Sequence, residues 1–455
     1  MKGISTKALG TEKISKLLVR LTIPTITAQI INLLYNMVDR IYIAHIEDVG
    51  SIALTGVGVT LPLIMIISAS ASLIAAGGAP RASISLGKNN HETANKILNN
   101  SFVSLFIISI ILTIVFGLFQ RDLLMMFGAS ENTIQYGLDY FSIYVLGIIF
   151  VLLTLGLNTF ITAQGFTKIS MLSVILGAGL NIILDPIFIF VLDLGVKGAA
   201  IATVLSQAVS CIWVLSFLKG SNSTLRLQRK YMKLDKNIML PSITLGIAPF
   251  IMQSSESLLM LTFNSNLYKY GGDVAVGVMI ILTSTLQLAM LPILGFAQGA
   301  SPIISYNYGA KKIDRVVNTL KYTIIICLIY SMGFFIVCQS VPELFLNLFN
   351  LDEQYLEFGK SSLRMYMGGI FIIGALLSCQ QAFIALGNAK SSMFIAILRK
   401  IILLIPMIYI LPNFMENKTL GVFMAEPVSD ILSALTTIIL FMIFLRKIIR
   451  ENKSV

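Results

Sequence analysis

Twelve apolar segments, each long enough to cross a hydrocarbon core about 30 Å thick, run through this sequence. They lie at 17–43, 52–78, 97–119, 136–162, 169–192, 198–218, 241–267, 274–298, 318–340, 361–386, 391–411 and 420–445. A backbone in hydrocarbon must pair its own N–H and C=O groups, which a helix does within each segment. The expected fold class is an all-α polytopic membrane protein with twelve transmembrane helices. Hydrophobic residues are 56% of the 455 and charged residues 12%, with a mean hydropathy of +0.86. A soluble domain with a charged surface does not reach such values. The first run outlasts a signal-peptide core and has no small-residue cleavage pattern behind it, so it is expected to remain as span 1.

The net charge of +11 is loop charge. Alternating the spans across the membrane puts most Lys and Arg on the side of the N-terminus. These are Lys2, Lys7, Lys13, Lys16 and Arg20 ahead of span 1, then Arg81, Lys88, Lys96 and Lys168, the cluster from Lys219 to Lys236, and later Lys311, Lys312, Arg315, Lys321, Lys390 and the basic residues after Arg446. The opposite loops carry Glu47, Asp48, Asp122, Glu131, Glu343, Asp352 and Glu353. The positive-inside rule then predicts that both termini are cytoplasmic.

An internal repeat organises the spans. Pro80, Ser83 and Gly87 recur as Pro302, Ser305 and Gly309, each 222 positions on; Gly165, Lys168 and Ser170 recur as Gly387, Lys390 and Ser392 at the same offset. Six spans per copy is an even number, so both halves enter from one side as a parallel repeat. The expected organisation is a six-helix lobe over 1–218, a solvated basic linker over 219–240, and a second six-helix lobe over 241–455. The Gly-rich stretches before Pro80 and Pro302 are expected to end spans 2 and 8.

Phosphate loops, nucleophile elbows and zinc spacings are absent from the sequence, and its four cysteines show no paired spacing. The chain is not expected to be an enzyme or to carry a cofactor. Its chemistry points instead to polar side chains inside the spans. Gln29, Asn32, Asn36 and Asp39 form one helical stripe with Tyr35 beside it. A carboxylate at such a depth is expensive and by default faces a protein interior or wet cavity. Asn181 and Asp185 stand one turn apart ahead of Pro186, and span 6 offers Thr203 and Gln207. A rise of about 1.5 Å per residue puts Asp39, Asp185 and Thr203 at matching depth, in the outer half. In the second half, Gln253, Glu256 and Met260 share a face of span 7, while Glu426 and Asp430 lie one turn apart in span 12. Glu426 is also readable as a rim carboxylate.

With Tyr35-Asn36-Met-Val-Asp39, Asn181-Ile-Ile-Leu-Asp185-Pro186, Gln164-Gly165 and Gly198-Ala-Ala-Ile-Ala-Thr203 in view, the chain resembles a multidrug and toxic compound extrusion (MATE) transporter of the bacterial branch with DinF-like and MepA-like pumps. The resemblance implies two lobes in a V, cation-driven antiport, and export of lipophilic, often cationic compounds from the bacterial cytoplasmic membrane, by a chain working as a monomer. It places a cation-coupling site on Asp39, Asn181, Asp185 and Thr203, which would also ligate Na+ if the coupling ion is sodium. Candidate substrate contacts are Gln29, Asn32, Tyr35, Asn36, Asn158, Gln207, Gln253, Glu256, Met260 and Asp430. The span 10 acid of the NorM-like branch is missing, since Ser378-Cys-Gln-Gln381 stands there. A lipid-linked oligosaccharide flippase of the same superfamily is the alternative; it would need a cationic cavity, for which Arg364, Arg399 and Lys400 are the available side chains.

Overall fold

The computed structural model describes residues 6–347 and 353–453. Lys2 and Asp352, counted above in the charge pattern, lie outside the described residues, as does the side chain of Glu353. The spanning helices are α1 (Ile14–Ala44), α2 (Gly50–Gly87), α3 (His91–Met126), α4 (Ile134–Leu146 and Ile148–Ala163, bent by 58°), α5 (Thr167–Val191) and α6 (Gly195–Lys219). A 74-residue helical stretch, Lys236–Gly309, follows. At about 1.5 Å per residue it would be over 100 Å long if straight, several times what a bilayer needs. It reverses at Gly272, whose φ of 62° and ψ of −159° belong to a region that only glycine enters cheaply. Its limbs are α7 (236–271) and α8 (273–309). α9 (Ile313–Ser340), α10 (Tyr355–Ala385), α11 (Ala389–Asn413) and α12 (Lys418–Glu451) complete the order. Side chains of Asn90, Asp235, Asn388 and Asn417 accept the first free backbone N–H groups of α3, α7, α11 and α12, the usual work of these residue types at helix starts.

The outside is apolar. Ile107, Ile111, Ile114 and Leu118 stand exposed along one face of α3, at a helical spacing that suits lipid. The inside carries much of the polarity, as at buried Asn95, Asn99, Asn100 and Ser101 on the same helix. One apolar core gathers residues from Ile43 to Met239, a second those from Leu259 to Ala434. A third joins Leu9, Leu17, Leu18 and Leu21 to Ile303, Phe383, Phe441 and Ile448, so the start of α1 and the end of α12 contribute to one core on one face.

On that terminal face the two halves are sealed through backbone contact. A methyl group on Gly87 of α2 would run into the carbonyl of Tyr306 in α8, and one on Gly309 of α8 into the carbonyl of Ile84 in α2. Gly87 pairs with Gly309, and Ile84 with Tyr306, under the 222-residue repeat, so the crossing is two-fold in character. Gly77 against Ser242 and Gly246 against Leu73 extend it between α2 and α7. Arg81 Nη1 donates to the Ile238 carbonyl and to Ser242 Oγ, each at 2.6 Å.

Two expectations are corrected here. α2 and α8 do not end near Pro80 and Pro302; both continue to their glycines. Proline removes one backbone hydrogen bond, and a membrane helix tolerates this where neighbours pack around it. The basic connection after α6 is not freely solvated either. Three asparagines of α3 strap its backbone: Asn95, Asn99 and Asn100 accept from the N–H groups of Arg226, Gln228 and Asp235, each at 2.7 Å. Gln164 accepts from Leu225 N–H at 2.8 Å, and Leu225 is fully buried.

Candidate functional site

α1 is kept continuous past Pro24 by neighbouring packing: the Thr25 hydroxyl donates to the Gly295 carbonyl of α8 at 2.6 Å, and Gly295 lets Ile26 approach closely. The helix therefore carries its polar stripe intact. Gln29, Asn32, Tyr35 and Asn36 line a cavity of about 1200 Å³, joined by Asn158 of α4, Asn181 of α5, Thr203 and Gln207 of α6 and Gln253 of α7. Asp39 and Asp185 are not on that lining: Asp39 is next to Arg40, which is, Asp185 is one turn from Asn181, and the two carboxyl groups are near enough to act on each other.

The helical spacing explains the rest of the cluster. Asn181 Nδ2 donates to Asp185 Oδ1 at 3.0 Å, one turn along α5, and lies 3.5 Å from Thr203 Oγ1 across the α5–α6 contact. Small residues make that contact close: a methyl on Gly177 would strike Ser210, and Gly198 lies against the backbone of Phe188. Pro186 ends the regular part of α5 and is followed by a wider π-helical turn over Ile187–Val191, a feature common where helices serve function. Asn181 and Asp185 are buried at 2% and 0% exposure. Asp39 Oδ1, Asn181 Oδ1 and Asp185 Oδ2 have no donor among the described residues, and neither do Asn158 Oδ1 and Gln207 Oε1. The free acceptor oxygens of Asp39, Asn181 and Asp185, two of them from carboxyl groups, leave polarity unmet within this cluster, beside the positive charge of Arg40. Tyr144 lines the cavity, its ring stacked on that of Tyr140 at 6.1 Å.

Three sequence candidates fall elsewhere. Glu256, Met260 and Asp430 do not line this cavity. Met260 is 60% exposed. Glu256 and Asp430 belong to a separate charged cluster with Arg399, Lys400 and Glu426 in the second half. Glu426 is buried at 3% exposure, so it is no rim residue. Of the wall contributed by the second half, the sequence points to Gln253 alone: Gln287 and Gln298 of α8 and Gln381 of α10 also line the cavity, with Gln29 Nε2 donating to Gln298 Oε1 at 3.0 Å and Gln253 Nε2 to Ser72 Oγ at 2.7 Å. Amide side chains inside apolar spans were the available signal. Arg40 is the one charged residue on the described lining.

A bundle of spanning helices built from paired halves, closed on one face and enclosing a polar cavity walled by both, defines a membrane carrier. The MatE family pattern matches twice, over residues 24–187 and 249–410. The chain belongs to the MatE family of transporters. It is 27% identical to the multidrug export protein MepA of Staphylococcus haemolyticus (strain JCSC1435) over 399 residues, covering 88% of this chain and 87% of that one. It is 26% identical to MepA of Staphylococcus aureus (strain NCTC 8325 / PS 47) over 430 residues, covering 93% of each. Among solved structures, the MATE multidrug transporter DinF-BH in complex with a small molecule is 33% identical with a TM-score of 0.88, covering 97% of this chain and 98% of that chain. A MATE protein in the bent conformation superposes at a TM-score of 0.92 with 22% identity over the full length of both chains.

Proposed function

We propose that this transporter exports lipophilic, often cationic compounds in exchange for H+ or Na+ by alternating access. The observation that carries the reading is the pair Asp39 and Asp185, each with a buried carboxyl oxygen that no donor meets, next to a cavity shared by both halves. Two adjacent carboxylates repel each other, and a cation between them relieves the repulsion. Asp39, Asn181, Asp185 and Thr203 supply oxygens of the kind Na+ takes, whereas a proton needs only the carboxylates. A cation loaded from outside weakens the hold on a cationic cargo and reshapes α1 and α5, and the emptied site returns to face the cytoplasm. Each inward charge contributes about 2.3 kcal/mol per 100 mV.

The relatives named multidrug export protein, and the DinF-BH transporter with its bound small molecule, favour small lipophilic cargo for the cavity. Basic loops on the face that holds both termini favour a bacterial cytoplasmic membrane with that face inside. Both halves of the cavity come from one chain, so a monomer is a complete carrier. The flippase reading asks for a cationic cavity; here Arg40 alone is charged on the lining, while Arg399 and Lys400 are already paired with acids. The test is dye efflux from energised cells or vesicles expressing the chain. Gradient-dependent export of an ethidium-like dye supports antiport; equal movement of dye with every gradient collapsed refutes it.

A further inference from the structure

The acid pair lies off the lining of the cavity, so its loading has to be felt by a cargo molecule it does not line. Arg40 reaches both places. Asn32, Asn36 and Arg40 follow at four-residue steps along one face of α1, and all three line the cavity. Arg40 is also the residue next to Asp39, and its charge acts on the Asp39 carboxyl.

Its guanidinium is uncommitted. Arg40 is exposed to the cavity, and among the described residues no carboxylate oxygen lies within 4 Å of it. The second half sets no charge against it, since its share of the described lining is amides, hydroxyls and apolar groups. Around the pair, Tyr35 of α1 and Tyr140 and Tyr144 of α4 are phenols without charge near neutral pH. Lys197 of α6 is taken by Asp139 of α4 at 3.5 Å. Arginine keeps its charge in every state of the pair, and its long side chain has rotamers to choose among. An unloaded, ionised Asp39 in a poorly solvated place needs a positive neighbour; a loaded one does not.

We propose that Arg40 transmits the loading of the acid pair to the cargo: with the pair empty its head leans back on Asp39, and with a cation on the pair it swings into the cavity, where it repels a cationic cargo and attracts a carboxylate. The arriving cation displaces the arginine because two positive charges at one carboxyl repel each other. The inference rests on the coupled-export reading above and adds to it the residue through which the exchange is felt. Arg40 touches the cargo and sets its charge preference, while the coupling ion stays with the acids.

The full-length protein in lipid nanodiscs is titrated with a rhodamine that bears a free carboxylate and with the methyl ester of the same dye. Both share one cationic ring system. Each is measured in Na+ and in N-methylglucamine at one pH, and at low and high pH in N-methylglucamine, so that either coupling ion loads the pair. In the parent, loading weakens the ester about tenfold, the scale of one partly screened charge contact, and weakens the free acid less, because its carboxylate meets the released guanidinium. Arg40→Gln makes the two dyes respond alike and takes away most of the ester's response. Arg40→Lys keeps the charge and the difference between the dyes. Arg40→Met, which retains an apolar stem, serves if the Gln variant melts early. A folded neutral variant with the parent's loaded-to-unloaded ratios, whatever happens to the affinities themselves, overturns the inference, as does a parent in which loading weakens both dyes equally. A parent whose binding of both dyes ignores Na+ and pH overturns coupled export instead, so the two failures are distinct.

Discussion

At the residue scale the carboxyl pair of α1 and α5 decides the most. Asp39 and Asp185 lie close together with oxygens that no donor meets, and Asn181 offers its one amide to Asp185. Replacing either acid by Asn supplies a donor to the other and removes a charge that would otherwise need a cation. Asp39→Asn and Asp185→Asn should each lower dye efflux at least about tenfold, while membrane abundance stays near normal and the detergent-purified protein melts no earlier than the parent. Efflux assays beside quantitative immunoblots and thermal melts check this; full transport by both variants would remove the pair from the mechanism. The pair was legible in the sequence because each member belongs to a short polar pattern on its own helix, Asn36 to Asp39 and Asn181 to Asp185. Arg399 and Lys400 were not legible as a site. Their partners lie on other helices, Glu256 on α7 far away in sequence and Asp430 on α12, and the π-helical turn that aims them has no sequence signature of its own.

At the scale of elements, the glycine crossing holds the terminal face shut. The repeat offset announced Gly87 and Gly309, yet nothing in the sequence said that each is pressed on the other's helix. Long-range contact of this kind depends on how halves dock, and local pattern does not encode it. Overpacking a tight contact costs about 1–3 kcal/mol, here charged to the closed arrangement alone. Gly87→Val and Gly309→Val should therefore raise hydrogen exchange over residues 84–88 and 306–310 and slow transport. Gly179→Val, where a side chain meets nothing within 4 Å, should do neither. Equal exchange in all three variants would show that the crossing is no gate. The strap on the interhalf linker invites a second measurement. Asn99 accepts from Gln228 N–H and donates to the Arg226 carbonyl; losing buried partners of this sort costs about 1–3 kcal/mol. Asn99→Ala should make the bonds after Arg226, Arg229 and Lys230 markedly more sensitive to trypsin, and unchanged digestion would mean that the strap is dispensable. Composition read this segment as solvated because it is basic and polar; the asparagines that bind it sit on a neighbouring helix and pair with its backbone, which composition cannot report.

For the whole molecule the open choice is the coupling ion, and the site's own atoms say how to make it. Sodium needs several oxygens arranged around it, so a sodium-driven carrier depends on Asn181 Oδ1 and Thr203 Oγ1 as much as on the acids. A proton resides on one carboxyl oxygen, and the amide then serves only to orient Asp185. Collapsing the sodium and proton gradients separately in dye-loaded cells should stop efflux in one case and spare it in the other. The variant Asn181→Leu ties that result to the structure. If the sodium gradient drives export, losing the amide oxygen should abolish it; if the proton gradient does, export should persist at reduced rate while Asp39→Asn still eliminates it. Efflux indifferent to both gradients would separate the acid pair from energy coupling altogether, because a cation held there would then do no work on the cargo.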